Sequence, residues 1–190
     1  MKKVLLLGDS IRMGYCGHVK ELLKGEAEVF HPEGNCQYTQ HTLVSLSGWT
    51  TLAGDPESVD LVHWNNGHWD VAHWDGEAVS LNTPQQYGVM LERIHGQLRK
   101  RLPNAKIVFA LTTPMNPAAG ACQNPRSNRE IVEYNAVARA VMGKLGAPIN
   151  DLHALMADKP ASFFIDYAHF TEEGYKILAD TVAKVIRQNL

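Results

Sequence analysis

The sequence has few cysteines, no long apolar run and almost no net charge. Its three cysteines lie far apart and form no C-x-x-C pair, which argues against a zinc knuckle or a redox dithiol. Their odd number favours a reducing compartment. The apolar run Val4–Leu7 is too short for a secretory signal, and no run approaches the length of a membrane span. We therefore expect a cytoplasmic protein with no membrane partner, unless an export signal has been removed.

The net charge of −2 gives the 190-residue chain no polyanion-binding character, so nucleic acid is not an expected partner. Hydrophobic residues make up 45% of the chain and charged residues 20%, which is typical of a globular protein with a large core. No repeat or linker divides the sequence. We expect one domain over residues 1–190, with self-association into a homo-oligomer left open.

Short apolar segments alternate with amphipathic ones along the chain. Two capping boxes, Thr83 with Gln86 and Ser127 with Glu130, mark the clearest helix starts. The pattern predicts an α/β sandwich with a parallel sheet. The predicted strands cover residues 4–7, 27–31, 59–64, 106–111 and 147–152. The predicted helices cover residues 11–24 and 39–52 and begin after Thr83, Ser127 and Thr171.

Polar turns follow four of the predicted strands. Ligands bind at the carboxyl ends of the strands in an open parallel sheet, so these turns predict a site at that edge. The turns are Gly8–Ser10, Glu33–Asn35, Asn65–Asp70 and Thr112–Pro114.

Ser10 and the later turn Asp166–His169 supply the residue types of a nucleophilic triad. A serine hydroxyl needs a base, a histidine titrates near neutral pH, and a carboxylate orients the histidine. We predict Ser10 as nucleophile, His169 as base and Asp166 as the orienting group. The alternatives are structural: a helix N-cap, a half-buried surface histidine and a turn aspartate, respectively. Asp9 is expected to support the first turn through hydrogen bonds.

Acyl transfer also requires donors for the developing oxyanion. The candidates are the backbone N–H of Ser10, the backbone N–H of Gly34 and a side-chain amide from Asn65 or Asn66. Glycine lets a loop backbone approach closely, whereas Asn-Gly sequences also occur in ordinary turns. The choice between the two asparagines stays open.

Together these segments resemble the GDSL-type SGNH hydrolases, which are serine esterases and lipases on a flavodoxin-like three-layer fold. Gly8-Asp9-Ser10 matches the nucleophile block, with Ile11 where leucine is usual, and Gly34 falls at the oxyanion glycine. Asp166-x-x-His169 matches the closing block. The resemblance covers nearly the whole chain. It implies a five-stranded parallel sheet, a Ser-His-Asp esterase, and neither a cofactor nor a metal.

The third block departs from this family pattern. Gly67-His68-Trp69-Asp70 replaces the usual Gly-x-Asn-Asp, so Trp69 stands where the oxyanion asparagine is expected. The segment Asn65–Trp69 instead resembles the Asn-x-Gly-His-Trp block of polysaccharide O-acetylation proteins and related carbohydrate esterases. That resemblance aligns Asn65 with their asparagine and implies an acetylated carbohydrate ester as substrate.

Polar and aromatic side chains of this loop suit a sugar. Trp64, Trp69 and Trp74 are candidates for stacking on sugar faces. The alternative for all three is an anchoring role in the core or in a loop. We predict substrate contacts from Asp9, His68, Trp69 and Asp70.

Arg126 and Arg129, near the loop after the fourth strand, are interpreted as solvated surface charges. The alternative for both is a contact with a uronate or acyl carboxylate.

Other functions compete with this hypothesis. A cluster of histidines and aspartates between His63 and Asp75 suggests a metal site, although His63, inside a strand, would point away from the loop. A flavodoxin-like FMN protein is disfavoured, because Asp9 would repel a phosphate and the first turn lacks a phosphate-binding composition. Acyltransferase, lysophospholipase or thioesterase activity would use the same acyl-enzyme.

Overall fold

The chain folds around one parallel sheet, as the alternating pattern predicts. The computed structural model describes residues 1–116, 118–120 and 122–190; Pro117 and Ala121, in the predicted loop after the fourth strand, lie outside the described residues. The strands are β1 (Lys2–Leu7), β2 (Ala27–Phe30), β3 (Leu61–Trp64), β4 (Lys106–Ala110) and β5 (Ile149–Asn150). They are ordered β2-β1-β3-β4-β5, and every neighbouring pair is parallel.

Helices cover both faces of the sheet. They are α1 (Ser10–Leu22), α2 (Thr39–Trp49), α3 (Pro84–Arg101), α4 (Asn128–Leu145), α5 (Leu152–Ala157) and α6 (Glu172–Asn189). Residues of α1, α5 and α6 form one hydrophobic cluster, and residues of α2, α3 and α4 form the other. The predicted three-layer α/β/α sandwich is therefore confirmed.

The side chains of β1 show why the sheet is buried on both faces. Val4 and Leu6 pack into the cluster of α1 and α6, whereas Leu5 and Leu7 pack into the cluster of α2, α3 and α4. All four are at most 1% exposed. Full burial of such a side chain contributes about 1.5–3 kcal/mol, so an unbroken apolar strand stabilises both layers at once.

Some element boundaries differ from the sequence-based predictions. β3 begins at Leu61 and α2 ends at Trp49, so both are shorter than predicted. β5 is reduced to Ile149–Asn150, because Asp151 caps a helix, α5, that the sequence analysis did not predict. Helices α3 and α4 begin with the predicted capping boxes, in which side chain and backbone bond reciprocally.

The turns after β1, β3 and β4 meet at one edge of the sheet, because these strands are parallel neighbours. None of the helices in the described part of the chain is long and apolar enough to cross a membrane.

Candidate active site

The turn after β1 sets the position of Ser10. A Cβ on Gly8 would lie 2.1 Å from Asn65 Oδ1 and 2.8 Å from Arg12 Cβ, so only glycine fits there. Asp9 then caps α1, its Oδ1 accepting from the Ile11 N–H at 2.9 Å. Ser10 is the first helical residue and not the N-cap, so its own backbone N–H has no acceptor within the helix.

The structure brings Ser10, His169 and Asp166 together. Ser10 Oγ lies 2.7 Å from His169 Nε2, and His169 Nδ1 lies 2.7 Å from Asp166 Oδ2. With Nδ1 donating to the carboxylate, Nε2 is left as an acceptor for the serine proton. This geometry permits the serine hydroxyl to be deprotonated by the imidazole.

The last turn fixes the Asp166 carboxylate through its backbone. Asp166 Oδ1 accepts from the N–H groups of Ala168 and His169, each at 2.8 Å. Burial raises the pKa of Asp166, but these bonds and the imidazole outweigh it, so that its pKa is lowered. An antiparallel bridge between Phe164 and Phe170 closes the base of the turn. Asp166 is therefore held ionised beside the imidazole.

A cavity of about 220 Å³ opens over these groups. Its floor includes Ser10 and His169, and aromatic side chains form much of its wall. It is lined by Ser10, Ile11, Asn35, His68, Trp69, Trp74, Asn124, Arg126, Tyr167, Ala168 and His169.

The two neighbouring asparagines after β3 have different environments. Asn66 is fully buried: its amide donates to Gln37 O at 2.8 Å and Thr42 Oγ1 at 2.9 Å, and its Oδ1 accepts from Trp64 Nε1 at 2.7 Å. The side chain of Asn65 makes one long hydrogen bond, from Nδ2 to Asp9 Oδ2 at 3.4 Å. Only the Asn65 amide therefore has a donor to spare, although Asn65, like Asn66, is buried and is not among the residues that line the cavity.

Gly34 lies in the exposed loop after β2. Its carbonyl accepts from the Arg12 guanidinium at 2.6 Å, which ties this loop to the start of α1. The following residue, Asn35, lines the cavity, whereas Gly34 is not among the lining residues. Asn35 was not a predicted site residue, although it closes the polar turn predicted at this edge.

The predicted substrate contacts of Asp9 and Asp70 need correction. Both side chains are fully buried, and neither lines the cavity. Asp70 Oδ1 accepts from the backbone and hydroxyl of Thr39 and from Asn82 Nδ2 at 2.6 Å, so it ties the start of α2 to the loop before α3. Burial outweighs these bonds and raises the pKa of Asp70 to about 6. Burial likewise raises the pKa of Asp9.

The other predicted loop residues divide between cavity and core. Trp69 and Trp74 line the cavity, with ring centroids 5.5 Å apart. Trp64 is wholly buried against Phe109, so its predicted stacking on a sugar is wrong. His68 lines the cavity and bonds Thr113 Oγ1 at 3.0 Å; burial keeps its pKa well below the usual range.

Arg126 is not the solvated surface charge that the sequence suggested. It is partly buried and lines the cavity, whereas Arg129 is exposed as predicted. Asn124 and Tyr167 are two further lining residues that the sequence analysis missed. Their signal was position: Asn124 and Arg126 follow β4 at the carboxyl edge, and Tyr167 lies inside the Asp166–His169 turn.

The histidines considered for a metal site have other partners. His63 is buried within β3, with Nε2 3.0 Å from Asn150 Nδ2, and burial lowers its pKa to about 4. His73 Nε2 lies 2.6 Å from Glu130 Oε1. Within the described residues no three His, Cys, Asp or Glu side chains are grouped so as to hold a metal ion.

Comparison with known proteins matches most of the chain to one family. Residues 6–177 match the model of the GDSL-like Lipase/Acylhydrolase family. The search of curated proteins returned no match.

Several solved structures have the same fold. The acetyl xylan esterase AlAXEase has a TM-score of 0.76 at 17% identity, over 97% of this chain and 99% of that chain. Est24, a carbohydrate acetylesterase from Sinorhizobium meliloti, has a TM-score of 0.77 at 13% identity, over 100% of both chains. A putative platelet activating factor from Streptococcus pneumonia has a TM-score of 0.80 at 18% identity, over 97% of this chain and 84% of that one. At such identities the likeness establishes a shared fold.

Proposed function

Because the chain belongs to the GDSL-like lipase/acylhydrolase family and is an ester hydrolase of the SGNH type, we propose that it is a serine esterase acting through Ser10, His169 and Asp166. Its proposed substrate is a small acyl ester, in the first instance an acetyl ester of a carbohydrate. The observation that carries the proposal is the pair of 2.7 Å contacts from Ser10 Oγ through His169 to Asp166, at the floor of an open cavity.

The reaction follows from this arrangement. His169 Nε2 takes the Ser10 proton as Oγ attacks the ester carbonyl, and Asp166 stabilises the imidazolium through Nδ1. Collapse of the tetrahedral intermediate breaks the ester bond, and His169 returns the proton to the leaving alcohol. Water, deprotonated by the same imidazole, then hydrolyses the acyl-enzyme and restores Ser10.

For the oxyanion we propose the Ser10 N–H, the Gly34 N–H and the Asn65 amide. The Ser10 N–H is supported by its place at the start of α1, where the helix dipole also favours negative charge. Asn65 is preferred to Asn66 because both amide hydrogens of Asn66 are already donated within the protein. Gly34 is retained from the sequence prediction, since its loop adjoins the cavity at Asn35.

A carbohydrate substrate is supported by the cavity wall. Trp69 and Trp74 offer two aromatic faces, and sugars pack their apolar C–H faces on such rings. Two proteins of the same fold are described as an acetyl xylan esterase and a carbohydrate acetylesterase. The cavity of about 220 Å³ favours a short acyl group.

Labelling with a fluorophosphonate followed by mass spectrometry tests the mechanism. We expect one adduct on Ser10, none on the Ser10→Ala variant, and turnover of p-nitrophenyl acetate that falls by about 10³-fold or more in that variant. No adduct together with no turnover in the wild-type protein would contradict the proposal. A panel of acetylated and deacetylated sugars then tests the carbohydrate part separately, by release of acetate.

The predicted cytoplasmic location belongs to this proposal as well. Cys16, Cys36 and Cys122 are all free thiols, and the first two are buried. Cell fractionation of the producing organism, followed by detection of the protein, tests it.

A further inference from the structure

Arg126 places a positive charge in the wall of the proposed active site. We propose that this guanidinium binds a carboxylate of the substrate, so that the preferred ester carries a negative charge on its acyl group or on a uronate-type alcohol. This inference rests on the proposed esterase function and names its substrate class.

The guanidinium is held in place by neutral partners. Its Nη1 donates to the carbonyl of His68, its Nη2 lies 3.3 Å from the carbonyl of Asn124, and it stands over the Tyr167 ring at 5.5 Å. His68, Asn124 and Tyr167 all line the same cavity as Ser10. The side chain is therefore fixed beside the reacting groups.

Within the described residues, no carboxylate is paired with this charge, and the buried Asp9 acts on it only through space, an effect that burial outweighs. None of the ion pairs found there involves Arg126, and no aspartate or glutamate lines the cavity. The buried Nε of Arg126 also has no hydrogen-bond partner there, a feature that it shares with the Nε of Arg12. A partly buried, unpaired cation is unfavourable in an empty site and becomes favourable when an anion enters. Consistent with this, burial lowers the pKa of Arg126.

Arg12 shows that burial alone does not make such a site. Arg12 is 1% exposed and its terminal nitrogens reach three backbone carbonyls: those of Pro32 at 3.0 Å, Gly34 at 2.6 Å and Gly8 at 3.4 Å. It does not line the cavity. Arg12 therefore joins two turns, whereas Arg126 faces a space that a ligand can enter.

A carboxylate is the ligand that suits this geometry. Guanidinium groups bind carboxylates through paired, charge-assisted hydrogen bonds, and such bonds are about twice as strong as neutral ones. The neighbouring Trp69 and Trp74 rings pack against the uncharged part of the substrate.

The test compares a charged ester with its neutral analogue. The acyl-side pair is mono-p-nitrophenyl succinate and its methyl ester; the alcohol-side pair is an acetylated methyl galacturonoside and its methyl ester. For one of the two pairs we expect the wild-type kcat/KM ratio of charged to neutral ester to exceed one. In Arg126→Gln that ratio should fall by about 10- to 100-fold, mainly through KM. The pair that responds identifies which half of the substrate carries the charge.

The exposed Arg129 supplies the matched control. Arg129→Gln removes the same charge from a neighbouring position outside the cavity, so the ratio should stay at the wild-type value. Arg126→Lys keeps the charge and should recover part of the preference. The preference should also weaken as salt concentration rises.

Two results would overturn the inference: a wild-type ratio of one or less for both pairs, or a ratio that Arg126→Gln leaves unchanged. If Arg126 had a purely structural role, Arg126→Gln would lower kcat/KM equally for both esters of a pair. The ratio would then stay unchanged, which is the second of these results. Labelling with a neutral fluorophosphonate distinguishes failure of this inference from failure of the esterase proposal. If Ser10 is labelled and p-nitrophenyl acetate is hydrolysed but no charge preference exists, only the role of Arg126 is wrong.

Discussion

Two sets of polar side chains lie at the carboxyl edge of the sheet. They differ in their hydrogen-bond partners and in whether they are connected to the cavity. The cavity set, Ser10, Asp166 and His169, bonds mainly within itself, and two of its members, Ser10 and His169, line the cavity. The buried set, Asp9, Asn66 and Asp70, is fully enclosed and bonds to the backbones and side chains of neighbouring turns. Members of the two sets are adjacent in sequence, as Asp9 and Ser10 show. Residue type and position at the edge therefore do not separate the two sets; a hydrogen-bond connection to a side chain that lines the cavity does.

The two turn aspartates separate the sets most strongly. Asp166→Asn replaces the acceptor of the His169 Nδ1–H with an amide and is expected to lower kcat by about 10²- to 10⁴-fold. Asp9→Asn makes the same chemical change but keeps an oxygen to cap α1, and Asn caps a helix about as well as Asp, so we expect kcat near the wild-type value and a stability change below about 1 kcal/mol. Initial rates with p-nitrophenyl acetate and urea unfolding of both variants measure this. Equal kinetic losses would mean that Asp9 belongs to the cavity set.

Asn65 and Asn66 sharpen the comparison further. Asn65→Ala removes a proposed oxyanion donor and is expected to lower kcat by about 10²-fold or somewhat more, with little change in KM. Asn66→Ala leaves the buried Trp64 Nε1 without its acceptor and is expected to lower the free energy of unfolding by about 1–3 kcal/mol. The same rate and unfolding measurements apply. If the kinetic loss falls on Asn66→Ala instead, the oxyanion assignment is reversed.

Asp70 provides the smallest expected effect on activity and a clear effect of pH on stability. Its pKa is raised from 3.8 to about 6 in the folded protein, so the folded state binds this proton more tightly than the unfolded state. Its contribution to stability is therefore complete below about pH 4 and is lost as pH rises through 6. Asp70→Asn mimics the protonated group, and its stability relative to wild type should rise by about 1–3 kcal/mol between pH 4 and 7.

Urea unfolding of both proteins at several pH values gives the Asp70 result as a difference. The difference is needed because His63 and His68 act in the opposite sense: burial lowers their pKa values, so their contributions are lost as pH falls. A difference that does not change with pH would contradict the raised pKa of Asp70.

Much of the fold could be predicted because its signals are periodic. The buried strands, the capping boxes and the polar turns at one edge all follow from local sequence, and the order of these turns suggested the grouping of Ser10, Asp166 and His169. The helix α5 was missed because its six residues carry only two buried positions, Leu152 and Met156. Such a pattern is too short to separate a helix from a strand end.

The site was less predictable where loops decide burial. No period governs the loop from Asn65 to Asp70, so sequence does not tell that Trp69 faces the cavity while Asp70 is enclosed. Arg126 was taken for a surface charge because its carbonyl partners, on His68 and Asn124, come from loop conformations that only the fold defines.

The neighbouring indoles of Trp69 and Trp74 also allow ligand binding in the cavity to be followed by tryptophan fluorescence. Their ring centroids lie 5.5 Å apart at the cavity wall, whereas Trp64 is sealed in the core. A molecule that enters the cavity changes the polarity around the first two rings and leaves Trp64 unaffected. Intrinsic emission therefore reports occupancy in the absence of turnover, so that substrates, products and inactive analogues can be ranked on a Ser10→Ala protein by titration alone.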